Sequence, residues 1–209
     1  ILKVFMEDRS SVPVFVNKSY ELPKYVNERT LMFVISYSGN TEETIEVFKK
    51  AIKTGCEIAV ITSGGKLKEL AQMHQKKLVL IPGNHQPRAS MGFLLVPILR
   101  ILENSGVLEN IEDTLKKISS NLRDDMYRKK AEELAKNLQD KIPLIYTSDK
   151  LYCVALRWKT QFNENTKIHA FWNVFSEMNH NEIVGYTKIL AKHHMIIISS
   201  EMDHPRIKK

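Results

Sequence analysis

Three groups of residues have types and spacings suited to chemistry. The first is a hydroxyl cluster, Ser36, Ser38 and Thr41, set around Gly39 and Asn40. It lies between an apolar run, Leu31 to Ile35, and a helical pattern that opens at Glu42. A turn of this kind points free backbone N–H groups and the positive end of a helix dipole at one spot, which suits an anion. The plainer reading is a helix N-cap, although a cap uses one hydroxyl and this turn offers three. The second group is Glu164 and His180, each set among asparagines in FNENTK and NHNEIVG. A carboxylate and an imidazole oriented by neutral amides suit acid–base work. Their plainer readings are a solvated glutamate at a helix end and a hydrogen-bonded structural histidine. The third is Arg88 in QPRAS, a guanidinium able to hold a phosphate or steady a developing oxyanion. Its alternative is a surface arginine at a helix start, where the dipole slightly disfavours a cation. No metal is expected, because no third ligand sits at a suitable spacing and the adjacent His193 and His194 would face opposite sides of a strand.

Positioning such groups requires a scaffold, and strand and helix patterns alternate along the chain. Val12–Val16 reads as a short edge strand, since Pro13 cannot donate to a ladder. Strands are expected at Leu31–Ile35, Glu57–Ile61 and Leu78–Ile81, with helices from Glu42, over Leu67–Met73, and from Arg88 to about Leu102. The segment 110–141 is charged and free of glycine and proline, with apolar residues at helical intervals, and predicts one or two linking helices. Alternation resumes with a strand at Pro143–Tyr146, a Thr147-Ser148-Asp149 turn, a helix over Tyr152–Phe162 and a strand at Ile168–Phe171. A helix near Phe175 and a strand at Met195–Ser199 complete the pattern. Repeated strand–helix–strand units demand parallel sheets covered by helices. The division expected is a first domain over 1–118, linking helices over 119–141 and a second domain over 142–209.

The 209 residues are 43% hydrophobic, enough for one large core or two modest ones. A net charge of +7 favours anionic partners in general. The lysines are dispersed, with no basic run interleaved with aromatics, so nucleic acid is not expected. No apolar stretch reaches membrane-spanning length, so no membrane partner is expected. Cys56 and Cys153 have no metal-ligand spacing and read as buried free thiols, which points to the cytoplasm.

Taken together, SYSGNTEET, TSGGKL, PGNHQPRAS, FNENTK and NHNEIVGY resemble the bifunctional phosphoglucose/phosphomannose isomerases, built from two sugar isomerase (SIS) domains. The motifs run in the family's order from about Val12 to Arg206. The resemblance implies an α/β fold of two three-layer α/β/α, flavodoxin-like lobes with parallel sheets. It implies interconversion of glucose 6-phosphate and mannose 6-phosphate with fructose 6-phosphate through a cis-enediolate, with no metal or organic cofactor. In that scheme Ser36, Ser38 and Thr41 bind the sugar phosphate, and Arg88 stabilises the enediolate. Glu164 moves the proton between C2 and C1. His180 assists ring opening and reaches the site from the neighbouring subunit of a homodimer. A glycine- and serine-rich loop expected before Ile1 is absent, as is a closing helix with a threonine and a lysine. The sequence is therefore expected to be a piece of a protein of about 300 residues, with both lobes truncated. Two rivals share the SIS architecture: a non-catalytic sugar-phosphate sensor, and the isomerase half of an amidotransferase.

Overall fold

In the computed structural model, which describes residues 1–122 and 126–208, two parallel sheets account for the strands. The helices are α1 (Leu2–Glu7), α2 (Glu42–Ile52), α3 (Gly65–Met73), α4 (Met91–Asn104), α5 (Ile111–Asn121), α6 (Met126–Leu138), α7 (Tyr152–Gln161) and α8 (Phe175–His180). Residues 123–125, inside the expected linking segment, lie outside the described residues. The chain divides into an N-terminal unit, Arg9–Thr114, and a C-terminal unit, Leu115–Lys209 together with Lys3–Asp8.

In the N-terminal unit β1 (Leu31–Ile35), β2 (Glu57–Thr62) and β3 (Lys77–Leu80) lie side by side in that order, all parallel. Strand β2 is central, and five of its six residues are buried, as a continuous apolar run covered on both faces requires. Ile58 and Val60 pack with Val34 of β1 against Phe48 and Ala51 of α2 and Leu67, Leu70 and Ala71 of α3. Complete burial of Phe48 contributes about 2 kcal/mol from apolar area alone.

The C-terminal sheet has the order β5-β4-β6, from β4 (Ile142–Thr147), β5 (Phe171–Val174) and β6 (His193–Ile198), again all parallel. Side chains alternate across it as the pleat dictates. Ile145 packs with Leu138 of α6 and Ala155 of α7, while Leu144 and Tyr146 pack with Met178 of α8. Helices therefore cover both faces, and the α/β class with parallel sheets is as expected. Among the described residues no helix is long and apolar enough to cross a membrane. Cys56 is buried and Cys153 half-buried, both as free thiols.

Three local expectations shift. Val12–Val16 is not a strand: Pro13 offers no N–H, the Val12 N–H turns to Ser10 Oγ (3.0 Å), and Phe15 is 67% exposed. The helix expected from Arg88 begins at Met91, because Pro87–Ala89 forms a separate 3₁₀ turn closed by the Ser90 N–H on Pro87 C=O. The strand expected at Ile168–Phe171 runs instead over Phe171–Val174. Lys167 adopts a left-handed conformation (φ 60°), and Asn163 Nδ2 donates to Ile168 C=O at 2.8 Å, so these residues are spent on a turn.

Candidate active site

The hydroxyl loop forms where β1 ends and α2 begins. Ser36 is buried, and its Oγ accepts the Gly39 N–H (3.1 Å) and bonds Thr41 Oγ1 (2.8 Å). Ser38 Oγ accepts the Asn40 N–H at 3.2 Å, and both Ser38 and Thr41 are exposed. Thr41 is the N-cap residue of α2, yet its side chain makes no capping hydrogen bond. Simple capping is therefore not what the three hydroxyls do here. Ser36 braces the loop from inside, and the two exposed hydroxyls stand beside the positive end of an 11-residue helix.

This loop interlocks with the next strand-to-helix turn. Gly39 has φ 70°, and a Cβ on it would lie 1.8 Å from Gly64 C=O. Ser63 donates both its N–H (3.0 Å) and its Oγ–H (2.6 Å) to Tyr37 C=O. The Lys66 N–H donates to Asn40 Oδ1 at 3.0 Å. Tyr37 also reaches the third loop, where its hydroxyl donates to Pro82 C=O (3.1 Å) and accepts the His85 N–H (2.9 Å). That loop leads into the 3₁₀ turn carrying Arg88, which is half-buried with Nη1 3.4 Å from Gln86 Oε1. Ser36, Ser38, Thr41 and Arg88 thus belong to one unit and to linked loops at one edge of its sheet.

Glu164 and His180 belong to the C-terminal unit. Glu164 is exposed within a π turn, Phe162–Thr166, that extends α7. Single π turns inside helices are frequent at functional sites. Its neighbours brace the turn: Asn165 Nδ2 donates to Gln161 Oε1 (2.6 Å) and Thr166 Oγ–H to Phe162 C=O (2.6 Å). His180 is exposed at the last position of α8.

The segment after His180 is tied down by a network that sequence reading missed. Glu182 accepts from the Tyr146 hydroxyl through Oε1 and from Asn173 Nδ2 through Oε2, both at 2.5 Å. The Tyr146 and Tyr186 hydroxyls also meet at 2.5 Å. Burial, then the Glu182 carboxylate, push the Tyr146 phenol far above its ordinary pKa, so it remains a neutral donor at working pH. We expect Tyr146→Phe to cost about 1–3 kcal/mol, the loss of a donor to a partly buried carboxylate. A shift of the urea midpoint at unchanged slope measures it; a change within error would show the network to be solvent-compensated.

The C-terminal ends of β4 and β6 lead into a serine turn of their own. Asp203, buried, accepts from Ser148 Oγ–H (2.5 Å) and from the Ser200 N–H (2.7 Å).

Residues 127–209 match the family model of the bacterial phospho-glucose isomerase C-terminal SIS domain. Over 99% of its length the chain is 41% identical to the bifunctional phosphoglucose/phosphomannose isomerase of Caldicellulosiruptor bescii. Along almost its whole length the chain is thus similar to the bifunctional phosphoglucose/phosphomannose isomerases. It spans 65% of the length of that relative. A more distant likeness, 38% identity over 78% of this chain and 53% of the relative, is to the D-glucosamine-6-phosphate 4-epimerase of Sulfolobus acidocaldarius. Among solved structures, the C-terminal domain of glucosamine-fructose-6-phosphate aminotransferase from Francisella tularensis superposes with a TM-score of 0.69 at 19% identity, over 94% of this chain and 58% of that one. This last likeness establishes the fold. Tyr37, Tyr146, Asn173 and Glu182 carried no signal of their own in the sequence. Only the placement of Tyr37 between two site serines, and of Glu182 two residues after His180, could have drawn attention to them.

Proposed function

We propose that the protein to which this chain belongs is an aldose–ketose isomerase, interconverting glucose 6-phosphate and mannose 6-phosphate with fructose 6-phosphate. Ser38 and Thr41 hold the 6-phosphate beside the α2 N-terminus, with Ser36 bracing them. Glu164 takes the proton from C2 and returns it at C1, and Arg88 steadies the cis-enediolate oxygen between the two transfers. His180, supplied by the neighbouring subunit of a homodimer, assists ring opening. Loss of configuration at C2 in the enediolate lets one site accept both aldoses. Phosphate anchoring orients the small reacting end, so remote binding energy serves the chemical step. Free thiols at Cys56 and Cys153 suit a cytoplasmic enzyme.

The observation that carries this reading is Thr41, an N-cap residue whose hydroxyl is left to the loop rather than the helix, in a chain 41% identical to a named isomerase. A sensor would explain the loop but has no need of the braced Glu164 turn. The test is a coupled assay of the full-length protein with glucose 6-phosphate and mannose 6-phosphate, in the presence of EDTA. Fructose 6-phosphate formed from both supports the proposal. Binding without turnover would leave the sensor reading, and conversion confined to glucosamine 6-phosphate would favour an epimerase.

A further inference from the structure

Tyr37 sits between two residues of the hydroxyl loop, but its side chain leaves that loop and crosses to another. Its hydroxyl donates to Pro82 C=O at 3.1 Å and accepts the His85 N–H at 2.9 Å. These two groups are the ends of a four-residue turn, the pair that a β-turn would join directly. Asn84 within it has φ 63°, a left-handed residue that fixes the direction in which the chain leaves. The phenol therefore acts as the inserted link that closes the turn.

The chain beyond His85 is continuous with Arg88. Gln86 C=O accepts the Ala89 N–H (2.9 Å) and the Ser90 Oγ–H (2.9 Å), and Ser90, fully buried, is the N-cap residue of α4. The His85 ring lies 5.1 Å from that of Phe93 on the same helix. Arg88 is thus held from one side by α4 and from the other by the turn that Tyr37 closes. The main chain of Tyr37 is fixed independently, its C=O taking both bonds from Ser63.

We propose that Tyr37 is a positioning residue that sets Arg88 relative to the hydroxyl loop. This rests on the isomerase reading for its kinetic consequence, though not for its structural one. A ligand anion on Ser38 and Thr41 and the guanidinium of Arg88 must be separated by a set distance if both are to engage one hexose. A single side chain spanning the two loops fixes that distance. Misplacement of a catalytic group by about 1 Å can cost as much as 10²-fold in rate.

The test uses the full-length protein with Tyr37→Phe, Arg88→Lys and the double variant. Tyr37→Phe keeps the ring and removes the link. We expect kcat to fall about tenfold, with KM and inhibition by inorganic phosphate changed less than about threefold, because the loop hydroxyls stay in place. In the Arg88→Lys background the same change should cost less than about twofold, since the two act through one interaction. Independent, multiplicative losses would overturn the proposal, and so would unchanged kcat. Amide exchange over residues 82–89 supplies a readout that needs no turnover, and Tyr37→Phe should accelerate it. If the wild-type protein does not isomerise, the functional reading fails, while unchanged exchange in the variant overturns the positioning role by itself. His85→Pro removes the N–H that the phenol accepts and should reproduce the kcat loss if Tyr37→Phe does not fold. Wild-type kcat in a folded His85→Pro protein also overturns the proposal.

Discussion

Glu164→Gln in the full-length protein is expected to lower kcat by about 10³-fold while leaving KM within about threefold. The amide has the shape of the carboxylate and can still hydrogen-bond, but it cannot take a proton from C2. The prediction is sharp because the turn that carries Glu164 is held by other residues. Asn163 ties to Ile168 C=O, Asn165 to Gln161, and Thr166 to Phe162 C=O. None of these bonds uses the Glu164 side chain, so the substitution should alter chemistry without altering the turn. Steady-state kinetics with fructose 6-phosphate, paired with phosphate inhibition, separate the two effects. A variant retaining near wild-type kcat would remove Glu164 from the role of base.

Gly39→Ala is expected to be the most damaging single-methyl change in the N-terminal unit. The left-handed φ of 70° alone costs an alanine about 1–2 kcal/mol. The added Cβ would also lie 1.8 Å from Gly64 C=O and 2.9 Å from Thr62 Oγ1. Gly64 C=O is main chain, and the Thr62 hydroxyl already donates to it at 2.9 Å, so neither can simply rotate away. Two interlocked loops must part, and we expect a total loss of about 3 kcal/mol or more, with phosphate binding lost as well. Gly55→Ala is the internal control. It has φ 74°, yet its nearest contact would be Glu28 Cβ at 3.8 Å, so only the backbone strain should appear. Denaturant midpoints for the two variants give the comparison, and equal losses would show that the loop contact yields easily.

Most of the scaffold was legible because its signals are local. The apolar runs of β1, β2 and β4 and the glycine- or hydroxyl-rich turns after them identified parallel α/β units directly. Where a tertiary bond competes with local pattern, the reading slipped. Ile168 is apolar enough for a strand, but Asn163 captures its carbonyl and the strand starts at Phe171. Val12–Val16 has the composition of a strand and a proline that forbids the ladder. The hydroxyl loop was legible in composition, while the division of labour within it was not. That Ser36 is buried and Thr41 does not cap depends on burial and on which oxygen faces which. The bonds of Tyr37 to Pro82 and His85 span 45 and 48 residues, and that of Tyr146 to Glu182 spans 36. No periodicity encodes a link of that range.

The two sheets carry similar turns after a strand, but their electrostatics differ in kind. In the C-terminal unit the Ser148 hydroxyl and the Ser200 amide already have a negative partner in the Asp203 carboxylate, held out of water. An incoming dianion there would meet like charge in a poorly screened setting instead of waiting donors. The duplicated architecture therefore does not duplicate the chemistry of its turns: the C-terminal half has its acceptor built in, where the N-terminal half sets hydroxyls against one another.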